Sequence, residues 1–343
     1  MTFELGVYSF GNTPRNADGS LGSSAQAVRD LMEAIHLADE VGVDFFGVGE
    51  HHTAEIPISS PAAVINAAAA STTRIGLGSA VTVLSTDDPL RIYQQFATAA
   101  VISGGRVDIT VGRGSSTESF PLFGHRIEDY DALFAAKLEL LLEANEHEHV
   151  TWAGPFRTPL EDALVVPRPD EPLKVWLGTG GNPESSIRAG YLGLPIAYGI
   201  LGGTAPHWVQ LVDLYRRAAE AGGQDQASLD VSVATHGFVG PDDRGAKDLF
   251  YRYESAMFAA GARSRGFQVP PKAHFDANYA AGGLAFVGGP AEITDRLLAF
   301  HAALGHSRQI IQMDVGGMPQ PHVLRSIELL GTEVLPQVRA ELG

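Results

Sequence analysis

Eight times along this 343-residue chain a short run of Val, Ile, Leu, Phe and small residues alternates with a longer segment of helical period, and this rhythm constrains the fold more than any other feature. Apolar runs without polar alternation are strands buried on both faces. Separated by helices, such strands form parallel βα units, because a parallel neighbour is reached only through a crossover. The runs lie at 3–9, 43–49, 74–81, 107–111, 174–177, 196–199, 229–238 and 309–315. Between them fall helical patterns: one from Ser24, read as its cap, to about 41; an Ala-rich one at 61–71; one opening at Pro89; others at 127–144, 290–303 and finally to about Arg339. Eight units predict an α/β fold, a single (β/α)8 barrel of the TIM type spanning 1–343 as one domain. Two stretches break the rhythm. Residues 147–173 read as an excursion on the barrel wall, and 261–283, with Gly, Pro and Arg but little periodicity, read as a lid or mobile loop.

Composition narrows the function classes. With 40 acidic against 24 basic residues the formal charge is −16, which repels nucleic-acid backbones and anionic membranes. There is no cysteine, so disulfides, thiolate metal sites and Cys nucleophiles are excluded by inventory. The start, Met1-Thr2-Phe3-Glu4-Leu5, reads as a strand and not as a signal peptide, and no apolar run approaches the ~20 residues of a membrane span. A cytoplasmic location is expected.

In such a barrel the chemistry sits on loops that follow the strands. Glu50-His51-His52 comes after the second run. Its histidines either satisfy loop hydrogen bonds or act on a substrate; a metal site is not expected, because adjacent residues rarely turn both side chains to one ion and no further ligand set follows the other strands. Gly112-Arg113-Gly114-Ser115-Ser116 follows the fourth run, and Gly178-Thr179-Gly180-Gly181-Asn182-Pro183-Glu184-Ser185 opens a helix after the fifth. Glycines expose backbone N–H groups there, and a helix N-terminus favours an anion. Neither has the third glycine of a dinucleotide fingerprint. Two anion loops on adjacent strands suit one terminal phosphate, which points to flavin mononucleotide (FMN).

Five landmarks in register then resemble the bacterial-luciferase-like flavin monooxygenases, including the luciferase α subunit, over nearly the whole chain. They are Glu50-His51-His52; Gly78-Ser79-Ala80-Val81 with Pro89-Leu90-Arg91; Gly104-Gly105-Arg106 leading into Gly112-Arg113-Gly114 and Phe123-Gly124; Gly193-Leu194-Pro195; and Val287-Gly288-Gly289-Pro290-Ala291-Glu292. The resemblance implies reduced FMN supplied by a separate flavin reductase, and its reaction with O2 to a flavin hydroperoxide that oxygenates a small organic substrate. It implies that His51 is catalytic, and that Ser79, Ala80, Val81, Arg113, Ser115, Gly180, Gly181, Asn182, Ser185 and Gly199 contact the cofactor, with a cis peptide at Ala80-Val81 under the flavin ring. Where luciferase has a reactive cysteine, this chain has Gly112. The alternatives are hydride transfer with a deazaflavin, a non-catalytic flavin-binding protein and a metal-dependent barrel hydrolase. The small side chains of the Ala-rich helix, together with the resemblance, imply a homodimer.

Overall fold

A computed structural model describes residues 3–342 apart from 17, 115, 116, 227, 228, 266 and 267. The barrel strands, in chain order, are Glu4–Ser9, Phe45–Val48, Gly76–Ser79, Val107–Gly112, Val175–Thr179, Ile196–Ile200, Val231–Val239 and Arg308–Gln312. Each pairs in parallel with its neighbours in the chain. Strand eight returns to strand one, Glu4 opposite Arg308, and the barrel closes. Runs one, two, seven and eight were expected one to three residues longer than their strands and runs four, five and six one residue shorter; the third strand breaks at residues 80–81 and resumes as Thr82–Val83 beside strand four.

Strand alternation divides the side chains into two layers. Outward residues such as Leu5, Val7, Phe46, Leu77, Ile109, Leu177 and Ile311 meet the ring of helices in one continuous core. Inward residues form a separate small cluster of Tyr8, Phe45 and Ile310, with Phe10, Ala80 and Ala234 packed against it. Below it the floor is sealed by Arg308. Its guanidinium donates to Asp108 at 2.8 Å and Glu4 at 2.6 Å and lies 3.8 Å from the centre of the Phe45 ring. Trp176 Nε1 donates to the same Asp108 carboxylate at 3.0 Å. Buried charges are tolerated when paired and hydrogen-bonded in this way.

Several expectations are corrected. Ser24 is the first residue of its helix, Ser24–Glu40; Ser23 holds the cap position, and its side chain makes no capping bond. The helix expected at 127–144 is Tyr130–Glu146, preceded by a single 3-10 turn, Ile127–Asp129. The first excursion is a hairpin of His149–Trp152 and Leu160–Leu164. The second is not an unstructured loop, because helix Asp243–Arg265 runs into it and helix Lys272–Tyr279 fills its middle. An eight-residue helix anchored by two buried aromatics, Phe275 and Tyr279, is too short to show a period. A further strand, Phe286–Gly288, pairs with the far end of strand seven. Among the described residues no helix is long and apolar enough to cross a membrane, and no cluster of His, Asp and Glu could hold a metal ion.

Candidate active site

The C-terminal mouth of the barrel is built around Ala80 and Val81, whose connecting peptide is cis, as the resemblance implied. Glycines make the room. A Cβ on Gly47 would stand 2.9 Å from Ala80, and one on Gly112 or Gly178 would stand 2.7 or 2.6 Å from a Val81 methyl. These glycines are the last or next-to-last residues of strands two, four and five, so three strands yield space to the break in the third. Ser79 fixes its base: its hydroxyl accepts from Thr110 N at 3.0 Å and donates to Thr110 O at 2.8 Å. That hydroxyl is committed to strand four.

His51 and His52 have different jobs. His52 Nε2 lies 3.0 Å from Glu50 Oε1, while Glu50 Oε2 accepts from Val83 N at 2.8 Å. Glu50 and His52 therefore brace the segment just beyond Val81, which is the loop-bonding role. His51 Nδ1 lies 2.9 Å from Glu118 Oε1, and its ring tilts against Phe10 at 5.1 Å. Burial acts to raise the pKa of Glu118, but the hydrogen bond from His51 and the backbone N–H groups of Glu118 and His52 outweigh it, and the net shift is downward. An ionised Glu118 orients the imidazole, so Nδ1 carries the proton and Nε2 is left to accept or return one. Sequence reasoning missed Glu118, which lies 67 residues from His51 in the chain.

The two anion loops do lie on adjacent strands, four and five. Asn182 caps helix Pro183–Tyr191, its Oδ1 accepting from Glu184 N at 2.7 Å and Ser185 N at 3.4 Å. Ser185 is buried in the first turn of that helix. Gly181 has φ +98°, a value that favours glycine. A Cβ on Gly180 would meet nothing within 4 Å, and one on Gly199 only Thr179 O at 3.8 Å, so the ends of strands five and six border open space. Arg113 Nη1 pairs with Asp131 at 2.6 Å over the Tyr130 ring. Ser115 lies outside the described residues.

The profile of the Luciferase-like monooxygenase family matches residues 9–307. The chain belongs to that family. Among its relatives an uncharacterised protein, y4vJ of Sinorhizobium fredii, is 25% identical over 94% of each chain. An F420-dependent glucose-6-phosphate dehydrogenase of Beutenbergia cavernae is 34% identical over 49% of this chain and 51% of its own. Two solved structures share the fold. Monooxygenase RslO1 of Streptomyces bottropensis has a TM-score of 0.82 at 22% identity, covering 97% of this chain and 99% of its own. The oxygenating constituent of 3,6-diketocamphane monooxygenase from Pseudomonas putida, in complex with FMN, has 0.77 at 18%, covering 98% and 99%. As a luciferase-like protein the chain is an oxidoreductase with flavin-type chemistry. The glycine-lined platform and the open ends of strands five and six fit a flat ring system with a phosphate tail.

Proposed function

We propose that this chain is a single-domain cytoplasmic monooxygenase that takes reduced FMN from a separate reductase and uses O2 to oxygenate a small organic substrate, working as a homodimer. The observation that carries this reading is His51, oriented by Glu118 at the end of strand two beside the platform of Ala80 and Val81. When bound, reduced FMN supplies the electrons that activate O2. Ala80 and Val81 would support its ring, with the backbone of Ser79 and the open edge at Gly199 beside it. Gly180, Gly181, Asn182 and Ser185 would hold its phosphate, with Ser115 and Arg113 completing the loop on strand four. Phe10 and the Tyr8–Phe45–Ile310 cluster present an apolar wall below His51 that excludes water. His51 holds a proton on Nδ1 against Glu118 and moves a second at Nε2.

A second reading, hydride transfer with a deazaflavin, is supported by the 34% identity to the F420-dependent dehydrogenase. One anaerobic titration separates the two. Tight binding of reduced FMN, followed by its oxidation with O2 and oxygen insertion into substrate, supports the first; tight binding of reduced F420 with no reaction towards O2 supports the second. Failure to bind either removes both.

A further inference from the structure

Strand seven carries a second imidazole into the mouth. In Val231–Val239 the residues Ser232, Ala234 and His236 share one face, and Ala234 packs on the interior cluster of Tyr8, Phe45 and Ile310. His236 stands opposite Gln312, the last residue of strand eight, and therefore at the C-terminal end where a barrel holds its chemistry. Its Nδ1 lies 2.8 Å from Glu254 Oε1, and the other oxygen of that carboxylate accepts the Tyr279 hydroxyl. Glu254 comes from helix Asp243–Arg265 and Tyr279 ends helix Lys272–Tyr279, so the chain of hydrogen bonds joins the barrel to the insertion above it.

Burial first, and the negative charge of Glu254 after it, push the pKa of the Tyr279 phenol up, so it stays protonated and donates. Glu254, 3% exposed, then faces the His236 ring on one oxygen and the Tyr279 hydroxyl on the other, so both of its acceptors are used. This places the proton of His236 on Nδ1 and leaves a lone pair on Nε2. That nitrogen has no hydrogen-bond partner among the described residues, and the ring keeps 10% of its surface exposed. A tie between strand and insertion needs one hydrogen bond; it does not need a carboxylate and a phenol that together fix the tautomer.

We propose that His236, oriented by Glu254 and Tyr279, is a substrate-binding proton acceptor distinct from His51, directed at substrates that carry an acidic hydroxyl, a phenol or an enol. The substrate O–H bond breaks, its electron pair stays on oxygen, and the proton passes to Nε2, where Glu254 stabilises the imidazolium. The resulting phenolate or enolate is the electron-rich form that an oxidising site attacks most readily. This inference rests on the flavin reading only for the meaning of the site; the binding step is a property of the chain itself.

The test uses 4-fluorophenol as probe and fluorine NMR to read whether the bound molecule is ionised, with and without FMN. Wild-type protein is expected to lower the apparent pKa of bound probe by about one unit, a tenfold shift towards phenolate. His236→Gln should abolish the shift, and Glu254→Gln and Tyr279→Phe should reduce it, while His51→Asn leaves it in place and the FMN affinity of all four stays close to wild type. Nitrogen NMR of wild-type imidazoles needs no variant: His236 should carry its proton on Nδ1 and gain one on Nε2 when the probe binds. A probe that binds in neutral form or not at all, a shift retained in His236→Gln, or a proton on Nε2 in the free protein overturns the proposal. Ionised probe in a protein that binds no FMN would overturn the flavin reading and leave this one standing.

Discussion

His306 makes the stability of the fold depend on mild acid in a way that can be worked out. It sits in the turn between helix Pro290–Leu304 and strand eight, fully buried, with neither ring nitrogen hydrogen-bonded among the described residues. Phe3, Phe300 and His301 surround the ring at 5.5 to 5.6 Å. Burial, with a smaller push from His301, lowers its pKa from 6.5 to about 3. The folded state therefore binds this proton less readily than the unfolded chain. The stability that the neutral ring contributes is complete above the unfolded pKa near 6.5, and is lost as pH falls from there towards 3. Each pH unit inside that window costs about 1.4 kcal/mol, so pH 5 should cost about 2 kcal/mol, a large part of a typical folding free energy. The measurement is urea unfolding at pH 7.5 and pH 5 of wild type and His306→Leu. Wild type should lose about 2 kcal/mol more than the variant between the two conditions. His125, whose pKa is also lowered by burial, titrates in both proteins and cancels in the difference. Equal pH dependence in the two would refute the reasoning.

His51→Ala should slow substrate oxygenation by about 100- to 10,000-fold with little change in reduced-FMN affinity, read by single-turnover oxidation and titration on one preparation. Glu118→Gln keeps a hydrogen bond but loses the charge, so it should fall between wild type and His51→Ala in turnover; a rate equal to wild type would remove the orienting role. Arg113→Ala should weaken FMN by about 1.5 to 3 kcal/mol and riboflavin hardly at all, since only FMN has the phosphate; equal weakening of both places Arg113 elsewhere, as would continued pairing with Asp131 in the FMN complex. Light scattering should show a dimer, and Val101→Glu with Ile102→Glu should give a monomer. Both side chains are about half exposed on helix Pro89–Ser103, which packs beside the Ala-rich helix Pro61–Ser71.

The barrel could be read from the sequence because the strands are mostly apolar and recur between helical patterns, and such a rhythm survives an error of a few residues at the ends of each run. The insertion could not, because its chemistry is in tertiary pairs. Phe275 and Tyr279 announce a helix only once Tyr251 and Phe258 are known to face the first, and Phe250 and Glu254 the second. The histidine-bearing loop was visible as a motif, yet the division of labour within it was not. His52 turns to Glu50 two residues away, while His51 turns to Glu118 across the mouth, and no local pattern distinguishes those partners. The glycines of strands two, four and five were legible as glycines; what they make room for became clear only with Val81 and Ala80 placed between them.

Glycine serves opposite ends of this barrel for different reasons, and that difference separates stability from function. On strand three a Cβ at Gly78 would fall 2.3 Å from Asp108 Oδ1, in the floor where Asp108, Arg308, Glu4 and Trp176 hold one another. Displacing that carboxylate would loosen a buried charge from its partners, an error that costs several kcal/mol. At the mouth the same residue type either yields to Val81, as Gly112 and Gly178 do, or borders open space, as Gly180 and Gly199 do. Nothing in the protein presses on the last two. Their smallness is unused by the fold itself and is available to a ligand whose flat surface must come close to the backbone. The charged floor therefore closes the N-terminal half of the barrel to solvent, and the glycine-edged mouth leaves the other half shaped for an occupant, with His51 held by Glu118 and His236 by Glu254 of helix Asp243–Arg265 beside it.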